Sequence, residues 1–243
     1  MILSDSSTWP SEIFNVLKAK KVALCQEHNN ELEYINTNSL FIKRPTSPVT
    51  DKVINQLISI LEVTPIRCYH CTRLEKASLK DGVKVLDAES HIEYCLEILR
   101  KKISSSVYKK LKYQYKSMLS DGFFNNRSGQ LHFVLSKELT RDSGCVGLYK
   151  YYGGEALRRI IEYAKLSDQV LPVLNRIGEP MVIEFDLLGI EIRRFGLWCI
   201  AEHLLKTIFK DENKHIIFLC EAFITHSMAR KDIMGYWTMV KYW

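Results

Sequence analysis

Four stretches of this chain carry residues that could do chemistry. The first is Cys68-Tyr69-His70-Cys71-Thr72-Arg73. A lone CxxC pair invites a metal or redox reading, but no second pair accompanies it, and no strand-to-helix opening of the thioredoxin kind surrounds it. On an extended strand Cys68, His70 and Thr72 share one face while Cys71 points the other way, so no metal site is expected. What such a strand offers is three hydrogen-bonding side chains, His70, Thr72 and Arg73, at one end. The competing reading of His70 is a core histidine satisfied by the backbone.

The second stretch is Tyr149 with Tyr151-Tyr152-Gly153-Gly154-Glu155. Two glycines ahead of a helix allow a ligand to approach the backbone, and the helix start offers unpaired N–H groups to an anion. Glu155 reads either as a ribose ligand or reserve acid, or as a first-turn residue favoured by the helix dipole. The third is Glu221, set in the apolar run HIIFLCEAFI. Ile217, Leu219 and Phe223 share its face, so an ionised carboxylate there needs a partner, a polar cleft or a sheet edge in water. The fourth runs from Arg100 to Lys116: seven basic residues and no acid, with Tyr108, Tyr113 and Tyr115 interleaved. Lys109, Lys110, Lys112 and Lys116 could neutralise phosphates while Tyr113 stacks on unpaired bases; the alternative is a solvated helix face. There is no GxGxxG and no GxxxxGK[ST], which disfavours Rossmann or P-loop nucleotide binding.

The elements that position these residues are set by periodicity. Helices are predicted over 11–25 and 51–62, separated by a polar stretch from Asn36 to Pro48. At Pro65 the pattern changes to a strand, IRCYHCTRL, then a short helix and a turn at Asp81-Gly82. Asp87 is placed to cap a helix whose Ile92, Cys95, Leu96, Leu99 and Ile103 keep one face. A basic, tyrosine-bearing helix comes next over SSVYKKLKYQYKSML. Then come a turn-rich loop over 121–130, a strand LHFVLS, a glycine-bearing loop and a helix opening at Gly153-Gly154. A strand region over 181–192, a helix over 196–209 and a last strand over 215–224 complete an α+β plan.

The run from Cys68 to Leu74, succeeded by Leu79-x-x-Gly82-x-x-x-Leu86, resembles the first strand and helix of ADP-ribosyltransferases of the diphtheria-toxin and poly(ADP-ribose) polymerase class. The order of the later segments is similar to that family across 65–235. Gly129 to Val134 resembles the second strand, Tyr149 to Tyr152 the tyrosine region, Pro180 to Leu187 the third strand, and Cys220 to Ile224 the glutamate strand. His132 stands where the family has a second-strand tyrosine.

The resemblance implies a split mixed or antiparallel β-sheet core over 65–243, with residues 1–64 as a helical extension. It implies NAD as co-substrate, bound by His70, Thr72, Arg73, His132, Tyr149 and Tyr152, with His70 on ribose hydroxyls and Arg73 on phosphates. Glu221 would be the catalytic carboxylate, with Glu155 in reserve. The acceptor is expected to be RNA or DNA, docked at Lys109, Lys110, Lys112, Tyr113 and Lys116, in a toxin or antiviral effector restrained by an inhibitory partner protein. Transfer to protein, a non-catalytic nucleic-acid-binding role and RNA 2′-phosphotransfer are the competing readings.

The composition limits these choices. The 243 residues are 47% apolar and 26% charged, with 11 Gly and 6 Pro, the balance of a packed domain rather than a disordered or collagen-like chain. The net charge of +6 suits polyanionic partners. The seven cysteines fall mostly in apolar segments and read as core residues. No apolar run reaches the roughly 18 residues of a membrane span, and the start MILSDSSTWPSE has no signal-peptide pattern, so a cytoplasmic protein is expected.

Overall fold

Val53, Ile54, Leu57, Ile58 and Leu61 fall on one stripe of an α-helical wheel, and that stripe is the buried face of a helix. The structure, a computed structural model, describes residues 1–37, 47–121, 128–207 and 221–239. The helices α1 (Ser11–Thr37) and α2 (Pro48–Glu62) pack together, α1 burying Ile13, Leu17 and Leu24. Ser47 precedes α2 without a capping side-chain bond. The Glu27 carboxylate of α1 supplies the cap instead, accepting from the Val49 and Thr50 N–H groups and the Thr50 hydroxyl, each at 2.9 Å.

The strand β1 (Pro65–Leu74) begins where the composition changes, and a 3-10 turn over Lys76–Asp81 ends at Gly82. Asp87 caps α3 (Ala88–Arg100) by accepting from the Ser90 N–H at 2.9 Å, as its position predicts. Next come α4 (Ser105–Ser120) and β2 (Leu131–Val134). The segment read as a glycine-bearing loop contains a helix, α5 (Ser143–Lys150), started by the Asp142 side chain on the Gly144 N–H at 2.9 Å. Then come α6 (Gly154–Tyr163), α7 (Ser167–Leu174) and β3 (Glu179–Leu188). The predicted strand over 181–192 thus stops at Leu188, where a 3-10 turn over Gly189–Glu191 takes over.

Helix α8 (Arg194–Lys206) is succeeded by β4 (Glu221–Ile224) and β5 (Ile233–Thr238). Of the strand predicted over 215–224, residues 215–220 lie outside the described residues. The strand β5 had no counterpart in the sequence reading; it pairs antiparallel with β3, Met181 opposite Thr238 and Ile183 opposite Tyr236. The fold is α+β, and the described residues form a five-stranded antiparallel sheet in the order β4-β2-β1-β3-β5.

By contacts the chain forms two compact units, Met1–Arg67 with Leu187–Ala222, and Cys68–Asp186 with Phe223–Trp243. In the first, α8 packs on α2 alongside the helices expected as an N-terminal extension. Gly189 is held there by closeness: a Cβ on it would lie 2.0 Å from the Leu61 carbonyl oxygen. In the second, Ile92, Cys95 and Leu99 of α3, Leu111 of α4, and Leu157 and Ile161 of α6 form one apolar cluster. Phe133 of β2 meets Phe185 of β3 edge to face, ring centres 5.7 Å apart. Among the described residues, no helix is long and apolar enough to cross a membrane.

Candidate functional site

The strands β1 and β2 lie side by side, with Tyr69 opposite Val134. His70 Nδ1 is 2.8 Å from the His132 carbonyl oxygen. A carbonyl only accepts, so Nδ1 carries the proton, and Nε2 of the neutral ring is left as an acceptor. Burial holds the His70 pKa below the ordinary histidine value and outweighs the stabilising hydrogen bond, so the ring is neutral at pH 7. His132 Nε2 donates to the Gln130 side-chain oxygen at 3.0 Å, and its ring lies against Phe223 of β4 with centres 5.3 Å apart. Thr72 is half-buried two residues beyond His70 on the same strand. Glu221 opens β4, the strand next to β2.

Arg73 does not present its guanidinium to a phosphate. Its Nε donates to the Ile177 carbonyl at 2.8 Å, Nη1 to that of Tyr149 at 2.9 Å, and Nη2 to those of Gly178 at 3.1 Å and Asn175. These carbonyls lie at the end of α5 and just after α7, where helix geometry leaves oxygen atoms without intrahelical partners and the dipole is negative. The expected phosphate role is corrected to that of a main-chain clamp.

The tyrosines are corrected likewise. Tyr149 is 0% exposed; its hydroxyl donates to the Thr140 carbonyl at 2.9 Å and sits 2.8 Å from the Cys71 sulfur. Burial raises its pKa strongly. Tyr152 is 9% exposed, packed in the apolar cluster of α3 and α6, and burial raises its pKa too. Neither ring has a face open to nicotinamide. Gly153 has φ +87°, and a Cβ there would meet Leu157 Cδ2 at 2.5 Å, so this glycine serves the packing of α6. Glu155 is a half-exposed first-turn residue of α6 whose Oε1 is 3.9 Å from Arg159 Nη2, the dipole-favoured helix position. Cys68 and Cys71 are both buried in the core.

The basic run forms a separate surface. Lys109, Lys110, Lys112, Tyr113 and Lys116 are all exposed along α4, Tyr113 to 77%. A cleft of about 320 Å³ is lined by Arg100, Ser105, Tyr108, Lys109 and Lys112. A second, of about 400 Å³, is lined by Lys109, Lys110, Tyr113 and Gln114 together with Tyr163 and Lys165 from the end of α6. Lys116 lines neither. Tyr163 and Lys165 were missed in the sequence. The signal was present: the period Leu157, Ile160, Ile161 turns Tyr163 outward, and Lys165 comes just after the last turn of the helix. No family model, no curated protein and no solved structure matches the chain.

Proposed function

We propose that the chain is an NAD-dependent ADP-ribosyltransferase. One observation carries this reading, the strand order β4-β2-β1, in which the strand bearing Glu221 and the strand bearing His70 flank the strand bearing His132. The resemblance in the sequence calls for a histidine strand, a second strand and a late glutamate strand around one nucleotide. That order agrees with it.

The residues of β1 suit part of NAD and not all of it. A neutral His70 with Nδ1–H committed to a carbonyl has Nε2 to accept from a ribose hydroxyl, and Thr72 adds a hydroxyl two residues on. Arg73 is occupied by main chain, so it contributes nothing to the pyrophosphate. The chemistry NAD supplies is a labile glycosidic bond: its electron pair leaves with nicotinamide, an acceptor nucleophile bonds to the ribose anomeric carbon, and the acceptor's proton passes to solvent. Glu221 is assigned the carboxylate that stabilises the positive charge developing at that carbon and holds a ribose hydroxyl.

Labelled NAD, incubated with RNA, DNA or protein, tests the reading. Wild-type protein should release nicotinamide and label one acceptor class. Glu221→Gln should reduce transfer at least about a hundredfold, the scale of removing one electrostatic stabiliser, and His70→Gln should raise KM for NAD more than it lowers kcat. Absence of nicotinamide release with every acceptor would rule the transferase out. The reading as a non-catalytic nucleic-acid-binding protein is favoured by one observation, the two lysine-lined clefts of α4.

A further inference from the structure

We propose that single-stranded nucleic acid docks across α4 and the end of α6, with bases stacked on Tyr113 and Tyr163 and phosphates on Lys109, Lys110 and Lys165. This deepens the transferase reading by naming its acceptor class and rests on that reading only for the word acceptor.

Two aromatic rings stand out of the protein beside one cleft, Tyr113 77% and Tyr163 61% exposed. A tyrosine left that open does little for the core, whereas a solvent-facing ring among cations is what base stacking needs. Three lysines, Lys109, Lys110 and Lys165, line the same cleft, and among the described residues no carboxylate does. The nearest acid in sequence, Glu162, pairs with Arg158 at 3.6 Å and Arg159 at 3.9 Å. Lys109 also lines the neighbouring cleft with Lys112, so the positive surface continues along the helix. In that neighbouring cleft Arg100 is partnered by Glu97 at 3.6 Å, and the Tyr108 hydroxyl donates to Glu97 at 3.2 Å. The cations of that cleft not paired with Glu97 are therefore Lys109 and Lys112.

Lys165 adds an independent argument. Its backbone lies at φ +56°, the left-handed region that glycine enters freely and L side chains enter at a cost. The position closes α6: the Leu166 N–H donates to the Ile161 carbonyl at 3.0 Å and that of Lys165 to Glu162 at 3.0 Å. Glycine would serve this closure better. A lysine there lines the cleft beside Tyr163 instead, and local strain of this kind is a pointer to function. A single strand fits better than a duplex, because stacking on Tyr113 and Tyr163 requires base faces that a duplex keeps covered.

The test is fluorescence anisotropy of short labelled oligonucleotides, without NAD, on the full chain. Single-stranded RNA or DNA should bind better than duplex, with affinity falling as salt rises. Tyr113→Ala and Tyr163→Ala should each weaken binding about tenfold, and Tyr113→Phe should restore it. Lys165→Gly should weaken binding about threefold and lower the salt slope by about 0.7, while Tm stays level or rises. Lys116→Glu, on the same helix but outside both clefts, should weaken binding less than Lys110→Glu.

Equal affinity for duplex and single strands, indifference to the tyrosine substitutions, or tighter binding to phosphatidylserine vesicles than to oligonucleotides would each overturn the proposal. A Tm that falls in step with affinity in Lys165→Gly would do the same. Binding without nicotinamide release removes the transferase and leaves the docking surface. Release without binding removes the docking surface and leaves the transferase.

Discussion

Arg73 shows at the residue scale how a side chain that suits a ligand can be taken by the fold. A planar guanidinium with five N–H groups reaches several carbonyls at once, and it joins β1 to main chain 76 to 105 residues further on. Lysine cannot reproduce that fork. Arg73→Lys should cost about 2–3 kcal/mol, read as a lower midpoint in urea, with little change in KM for NAD. His70 makes a different prediction. Its folded pKa lies below the unfolded value near 6.5, so the unfolded chain binds the extra proton and stability falls as pH drops below that value. His91 and His203, also lowered by burial, act in the same direction. His70→Gln should flatten this acid loss in thermal melts between pH 7 and pH 5, without abolishing it.

Elements make their own predictions. Burial works against ionisation of Glu27, but its hydrogen bonds to Val49 and Thr50 prevail and hold its pKa below the ordinary carboxylate value. Its contribution is present above the unfolded glutamate pKa and is lost as pH falls through the lower, folded one. Glu27→Gln should cost about 1 kcal/mol at pH 7 and much less at pH 3, by chemical denaturation at both pH values. Gly189→Ala should cost several times more, about 2–4 kcal/mol, because the Leu61 backbone would have to move.

The elements legible in the sequence were those with a local signature: the stripe of α2, the β-formers of β1, the Asp87 cap. The others lacked one. Gly144 and Gly147 hid α5, Pro172 interrupts α7, and Gly235 breaks the β-former run of β5. Gly235 lies opposite Glu184 where the β3–β5 register shifts, a condition set by the partner strand. The candidate site divides the same way. The shared face of His70 and Thr72 is given by strand alternation, and the exposure of Tyr113 and the α4 lysines by helix periodicity. The burial of Tyr149 and the partners of Arg73 depend on contacts with distant sequence, which no local pattern carries.

For the whole molecule, the strand order brings the account together. The strands bearing His70, His132 and Glu221 come from three separate stretches of sequence and stand in succession in one sheet. The net charge of +6 is unevenly spread, with an acid-free run forming the α4 surface that the docking proposal uses. Strand order and charged surface thus divide the proposed work between nucleotide chemistry and acceptor capture.

The most direct measurement is nicotinamide release from NAD with single-stranded RNA and DNA present, comparing wild type with Glu221→Gln at matched Tm. The account predicts release and covalently labelled nucleic acid from wild type, and at least about a hundredfold less from the variant. A cooperatively folded wild-type protein that releases no nicotinamide, or a variant that releases it as fast as wild type, would contradict it.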